Sequence, residues 1–455
     1  MRYILKHLRL PKWIYKYLGA LVILLVTLYP KFPLFNISGA FVAIRFEDLV
    51  LILVGVVVFI SLSQNIKYYT KNKIVKVMVL YLSIAFISLL SSAFITKTID
   101  LKIGFFHWLR RVEYFLPFVL GLEIIRKNIN FSFFFKLILV VVFLAFIYGY
   151  GQKNFYWPMI VTQNQEYSRG IALRYVPGGH INSTFAGHYD LATFLVMVLP
   201  IIITAFFIFA SFIDKLIIFT AYLASMWLLV NAASRISIFS YFFSVSLALL
   251  LVKKYKAIIP IVLLSLVFAL YSSNLLLRYS RLIEVLKESF SYNVNLVGKV
   301  YAESEINLKR NVFTPTPTPT PVLEDRSSNI RLNVEWPRAV RAFIKNPLLG
   351  TGYSSITLAT DNDFLRALGE TGILGFLSFI LVFLRLILEF LKRIPFEKFL
   401  AKEELAFVAG LFGGLSGIFI NAFFIDVFEA SKFAIVFWFF IGMSQGLLST
   451  EKGEY

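Results

Sequence analysis

Apolar runs of about 18 to 22 residues recur along nearly the whole chain, each long enough to cross a bilayer as a helix. They fall at roughly 14–30, 47–63, 74–95, 104–125, 131–150, 188–209, 214–230, 235–252, 256–272, 364–391, 404–424 and 430–448. The pattern predicts an all-α polytopic membrane protein with about twelve transmembrane helices. The expected organisation is helices one to five within 1–150, an extracytoplasmic loop at 151–187 and helices six to nine within 188–272. A large extracytoplasmic loop, 273–363, then separates helices 9 and 10, and 364–455 holds helices ten to twelve and a cytoplasmic tail. Residues 1 to 30 are basic and then apolar, as in a signal peptide. No clear small-residue cleavage site follows and more spans do, which predicts a retained first helix.

Polar residues within this pattern are unevenly placed. Five of the even-numbered spans, the second to the tenth, begin among ionisable or hydrogen-bonding groups. The second opens with Arg45, Glu47 and Asp48, and the fourth holds His107, Arg110, Arg111 and Glu113. The sixth follows His180 and Asn182 with His188 and Asp190, and the eighth opens with Ser234 and Arg235. The tenth opens as "TDNDFLRALGETGILGF", residues 360–376. Each cluster has a structural reading. Arg110 and Glu113 are one turn apart and can pair on their own helix; Asp363, Arg366 and Glu370 share a face and can neutralise one another. Arg near a helix end can snorkel to water. Five clusters at one depth point beyond this to a site, because charges within spans are costly and concentrate where function needs them.

Composition and charge narrow the class. Hydrophobic residues make up 58% and charged residues only 16%, too apolar for an ordinary soluble domain. The net charge of +19 is scattered over short loops, so membrane topology explains it better than nucleic acid. With the N-terminus inside, the inner loops hold Lys67, Lys71 and Lys73; Arg126 and Lys127; Lys215; Lys253, Lys254 and Lys256; and Lys392, Arg393, Lys398 and Lys402. The short outer loops hold Lys31 and Arg45, Lys97 and Lys102, and none between the last two spans. This is the positive-inside pattern, and it predicts that both termini are cytoplasmic. There is no cysteine, which excludes disulfides and thiolate metal sites. In the large loop, "LLLRYSRLIEVLKESF" has helical spacing and "TPTPTPTP", residues 314–321, reads as an extended spacer. Several arginines on one face, without an obvious metal cluster, suit a phosphate-bearing ligand. Arg110 and Arg111 are therefore candidate substrate contacts. Asp361 or a nearby His could take a proton from a hydroxyl.

Four segments resemble the O-antigen ligase and polymerase superfamily of bacterial surface-glycan assembly. They are "STFAGHYDLATFLVMVLP" at 183–200, "NAASRISIF" at 231–239, "RLNVEWPRAVRAFIKNPLLGTGYSS" at 331–355 and "DNDFLRALGETGILGF" at 361–376. The resemblance implies a metal-independent and cofactor-free glycosyl transfer on the outer face of the bacterial inner membrane. The donor is a polyprenyl-diphosphate-linked oligosaccharide, and the acceptor is a glycan, lipid or protein hydroxyl. Arg235 matches the family's Ser-Arg position and is assigned to the diphosphate; its structural alternative is snorkelling. Asp361 stands where ligases of the family commonly carry a His before Asn. It is a candidate base, or else a helix N-cap. Asn362 orients a sugar or caps. His188 and Asp190 match the family pattern, and Arg331 belongs to the third segment as a substrate contact. The family's Arg near residues 183–190 has no clean counterpart. His180 holds roughly that place, with Arg169 and Arg174 upstream, and Arg174 is taken as the phosphate contact. The glycines of "NPLLGTG" read as a tight turn returning the loop to the membrane rather than a phosphate cradle. The Asp-Asn in place of His-Asn favours polymerase over ligase. A flippase-like transporter would place polar groups near the midplane between repeats and broken helices, and a scaffold would need none of these residues.

Overall fold

The computed structural model describes residues 10–36, 43–160, 172–270, 329–356 and 359–449. Both the helical stretch expected at 275–290 and the Thr-Pro spacer at 314–321 lie outside the described residues. A helix occupies each of the twelve apolar runs. They are α1 (Lys12–Leu28), α2 (Phe46–Gln64), α4 (Lys73–Phe94), α5 (Leu101–Arg126), α6 (Phe131–Phe155), α7 (His188–Ile208), α8 (Phe212–Ala232), α9 (Arg235–Leu251), α10 (Ile258–Leu270), α12 (Asp363–Leu391), α13 (Lys402–Ala422) and α14 (Ser431–Ser449). Two shorter helices complete the set, α3 (Ile66–Lys71) and α11 (Trp336–Lys345). Among the described residues, eight helices are long and apolar enough to span a membrane by length and composition. Two-stranded pairs are small: β1 (Pro33–Asn36) with β2 (Ala43–Arg45), and β3 (Met159–Ile160) with β4 (Ala172–Leu173), both antiparallel.

The core is built by α14, α7 and α13, whose spanning windows are 100%, 83% and 83% buried inside the protein. Outer helices expose their apolar faces instead, as with Ile52, Leu53, Val56 and Phe59 on α2 and Ile259 and Leu263 on α10. Facing lipid, such side chains lose nothing by exposure, so the helices are held together by close packing rather than by apolar burial from water. Small residues provide that packing. A Cβ at Gly121 of α5 would lie 2.5 Å from the carbonyl oxygen of Phe439 on α14. One at Gly410 of α13 would lie 2.4 Å from the backbone of Ile201 on α7.

The tenth apolar run is not one continuous helix. Gly372 sits at φ 66°, ψ −172° and breaks α12. The break frees backbone groups that the helix ladder would have used, and unpaired groups in an apolar interior are costly. The "NPLLGTG" turn supplies their partners. Thr351 and Gly352 donate to the carbonyls of Gly369 and Glu370 at 3.0 and 2.8 Å, and Ile373 and Leu374 donate to those of Pro347 and Leu348 at 2.9 and 3.3 Å. Gly350 at φ 71° and Gly352 at φ 88° give the turn its left-handed corners. The turn is architecture, as its spacing predicts, but what it anchors is a broken helix. Ser88 and Thr98 clamp it from the other side, through the carbonyls of Leu349 and Thr351.

Candidate active site

The starts of α2, α7, α9, α12 and α14 gather at one end of the bundle with the ends of α1, α6, α8 and α13. Two polar networks occupy that end, and neighbouring arginines of α5 reach one each. Arg110 faces Asp48 at 3.6 Å. Arg111 pairs with Glu429 and donates to the carbonyl of Phe428 at 3.0 Å. The two arginines lie nine and ten residues into α5, so that helix begins about 14 Å beyond the level where they meet their partners. The expected pairing of Arg110 with Glu113 gives way to Asp48, a residue of another helix.

The first network surrounds Glu47. Lys31 and Arg45 each approach it at 3.9 Å, and Ser431 donates to it at 2.7 Å. Lys31 is buried rather than snorkelling, and that burial lowers its pKa despite Glu47. Lys432, wholly buried, donates to the carbonyl of Tyr29 at 2.7 Å and reaches those of Thr27 and Thr184. Asp190, in the first turn of α7, lies within electrostatic reach of Lys31 and Lys432. These contacts tie α1, α2, α7 and α14 together, and they read as a buried structural knot.

The second network joins the close of the large loop to α12 and to the α13–α14 turn. Arg366 binds Asp426 at 2.9 Å and stands 3.6 Å from Glu370 and 3.5 Å from Glu429. Asp426 also accepts from the amides of Thr360 and Asn362 at 2.8 and 3.1 Å. Asp363 does not join Arg366 as its helical spacing predicts; it accepts from the amides of Val427 and Phe428 at 2.7 and 3.3 Å. Asn362, not Asp361, caps α12, accepting from Leu365 at 2.9 Å. The cap is one of the two roles expected of Asn362. Tyr353 of the turn hydrogen-bonds Tyr81 at 2.8 Å, and the Arg111 guanidinium lies 5.3 Å over the Tyr353 ring.

Asp361 adopts a left-handed backbone, φ 49°, a conformation Asp tolerates better than most residues. Its Oδ2 accepts from Arg331 Nε at 3.0 Å and lies 2.8 Å from the same guanidinium's terminal nitrogen. Burial raises the Asp361 pKa; Arg331 opposes this and Asp426 adds to it. Arg331 also hydrogen-bonds Tyr189, so the loop meets the first turn of α7. Next to Tyr189, His188 stacks on His180 with ring centroids 3.7 Å apart. The segment between them is pinned by its own side chains. Gln152 donates to Asn182 and accepts from the Ser183 amide at 2.8 Å, while Thr184 donates to the carbonyl of Thr27 at 2.8 Å. The Ser-Thr-Phe stretch is thus an architectural plug that sets the His pair.

Of the sequence candidates, the structure brings Arg331 and Asp361 into contact, His180 onto His188, and Asn362 onto Asp426 through its amide. Arg235 starts α9, half-buried, behind its N-cap Ser234. The helix before it is tied to the His180 segment, where the Ile181 amide donates to Asn231 at 3.1 Å. Arg174 is exposed just past β4. Arg169 lies outside the described residues. Sequence reasoning missed Asp426, Glu429, Lys432 and Glu335. The signal for the first two was present: they are the acidic residues of the short 423–430 turn, at the same end as the even-numbered starts.

Residues 220–380 match the O-antigen ligase family. That match supports an assignment to the O-antigen ligase and polymerase superfamily. The match covers about a third of the chain and includes Arg235, Arg331, Asp361 and Arg366. No curated protein matches the chain. With the apolar helices, the match supports a multi-pass membrane enzyme broadly of the O-antigen ligase or polymerase type, and the Arg331–Asp361 network lies within the matched residues.

Proposed function

We propose that the protein transfers glycan from a polyprenyl-diphosphate-linked donor to a hydroxyl acceptor, at the outer face of the bacterial inner membrane, and that it acts as a polymerase. The observation that carries this reading is the Arg331–Asp361 pair, which joins the large loop to the start of α12 inside the matched domain. Around it lie cationic groups for a diphosphate and carboxylates for a proton. In the reaction, the acceptor oxygen bonds to the anomeric carbon and the bond from that carbon to the diphosphate breaks. The electron pair leaves on the diphosphate oxygen, and the hydroxyl proton passes to a carboxylate, of which Asp361 is the sequence candidate. Arginines meet the leaving charge in place of a metal; Arg235 and Arg174 are the residues assigned to it. The apolar flanks of α9 and α12 suit the lipid chain. Polymerase is preferred to ligase because Asp-Asn at 361–362 replaces the His-Asn expected of a ligase.

Purified protein given a lipid-diphosphate oligosaccharide alone tests this. Polymerase activity yields a ladder of lengthened lipid-linked products without a second acceptor, whereas a ligase needs one. Arg235→Ala and Asp361→Ala should abolish extension with protein level and donor flipping unchanged. Full-length glycan from either variant would show that the site is misplaced.

A further inference from the structure

Asp361 is poorly free to act as a base, because its Oδ2 is held by two nitrogens of Arg331. Beside this pair are four polar atoms that no described residue satisfies. They are Glu335 Oε2, Trp336 Nε1, Arg338 NH1 and Thr360 Oγ1, all shielded from solvent. Thr360 is wholly buried and directly precedes Asp361. A buried atom left unpaired is costly, and folded proteins leave few of them. Two of them flank the ion pair, Thr360 next to Asp361 in the chain and Glu335 within electrostatic reach of Asp361 and Arg331, and with Trp336 and Arg338 beside Glu335 in sequence they mark a place where a ligand completes the bonding.

Local backbone supports this. Arg331–Glu335 forms a π turn, in which the Trp336 amide bonds to the carbonyl of Arg331, and it runs directly into α11. Such turns are uncommon and concentrate at functional sites. Glu335 lies within electrostatic reach of Asp361, Arg331, Asp426 and Arg338. Trp336 sets its ring 6.4 Å from Phe424, beside the turn that carries Asp426.

The chemistry of the four atoms selects the ligand. A carboxylate oxygen accepts, an indole and a guanidinium donate, and a hydroxyl does both. A diphosphate only accepts and would be repelled by Glu335, Asp361 and Asp426. The hydroxyls of a sugar both donate and accept. We propose that Glu335, Trp336, Arg338 and Thr360 form the subsite for the acceptor sugar, with Glu335 receiving the proton of the attacking hydroxyl. This rests on the glycosyl-transfer reading above. The acceptor O–H donates to Glu335 Oε2, and its oxygen bonds to the anomeric carbon as the diphosphate leaves with the electron pair. The proton remains on Glu335 until product exit releases it to water. Arg338 and Thr360 hold neighbouring sugar oxygens, and Asp361 positions Arg331. Burial, reinforced by Asp361, raises the Glu335 carboxyl to about 7 against the pull of Arg331 and Arg338. A base near that value is matched to neutral pH.

The test uses the full chain in detergent, with the lipid-diphosphate oligosaccharide serving as donor and acceptor. Initial rates are measured from pH 5.5 to 8.5 for wild type, E335Q and T360V, with a thermal melt of each. Wild type should rise about tenfold per pH unit below 7 and then level. E335Q should lose at least about 100-fold in kcat and lose the acid limb. T360V should raise the KM for that shared substrate severalfold with kcat little changed. A folded E335Q with the wild-type rate and limb overturns the proposal and leaves the transfer reading intact. If E335Q does not fold, an unchanged KM in T360V overturns the proposal. Absence of any transfer by wild type overturns both readings.

Discussion

Gly372→Ala is expected to be among the most damaging single-methyl changes in this chain. The residue sits at φ 66°, ψ −172°, a region essentially reserved for glycine, where a side chain costs on the order of 1–3 kcal/mol. A Cβ there would also lie 2.5 Å from the amide nitrogen of Gly350 and from the carbonyl oxygen of Leu348. Both contacts are backbone and cannot swing aside. Relief must part the turn from α12 and weaken the four hydrogen bonds between them, at about 1 kcal/mol for each bond lost. Strain plus one or two lost bonds gives roughly 2–5 kcal/mol, a large part of the about 5–15 kcal/mol that holds a typical domain. At on the order of 2 °C per kcal/mol for a large domain, the melting midpoint in detergent should fall by about 4–10 °C. Transfer should fall with it, because the same turn positions Tyr353 against Tyr81 and Arg111. Two other alanines separate the causes. Gly178→Ala meets the positive φ, 83°, but open space, and isolates backbone strain. Gly55→Ala lies within α2, where its Cβ would touch Leu116 alone at 3.4 Å, and should be neutral or slightly stabilising. A Gly372→Ala protein that melts with Gly55→Ala would refute the reasoning.

Asp426→Ala removes the 2.9 Å partner of Arg366 and the acceptor for the Thr360 and Asn362 amides. Leaving that guanidinium short of charge should cost about 3–5 kcal/mol, read as a lower melting midpoint and lost transfer; a wild-type melt would show Glu370 and Glu429 to be sufficient. Shortening the Thr-Pro run at 314–321 should leave chain extension nearly unchanged, and loss of activity would reject the spacer reading. Cysteines introduced beside residues 188, 235 and 361 should react with an impermeant thiol reagent from outside intact cells. Labelling from the cytosolic side alone would invert the topology and remove the proposed site.

Much of this molecule follows from local sequence. A helix in lipid must satisfy its own backbone, so an apolar run of sufficient length specifies a helix with no help from neighbours. That is why twelve helices fall on the twelve runs, and why the glycines of "NPLLGTG" announce a turn. The clustering of polar groups at even-numbered starts was equally legible, because it depends on position along each run. Partners were not. Arg366 finds Asp426 across 60 positions and Asp363 finds the Val427 amide across 64. Helical spacing offered nearer partners for Arg110 and Asp363, but packing set other groups in reach at lower cost. The break at Gly372 was likewise hidden, since one glycine in an apolar run is tolerated unless another segment stands ready to bind the backbone it frees. Composition chose the helices; only their packing decided which charges would neutralise one another and which polar atoms would be left for a ligand.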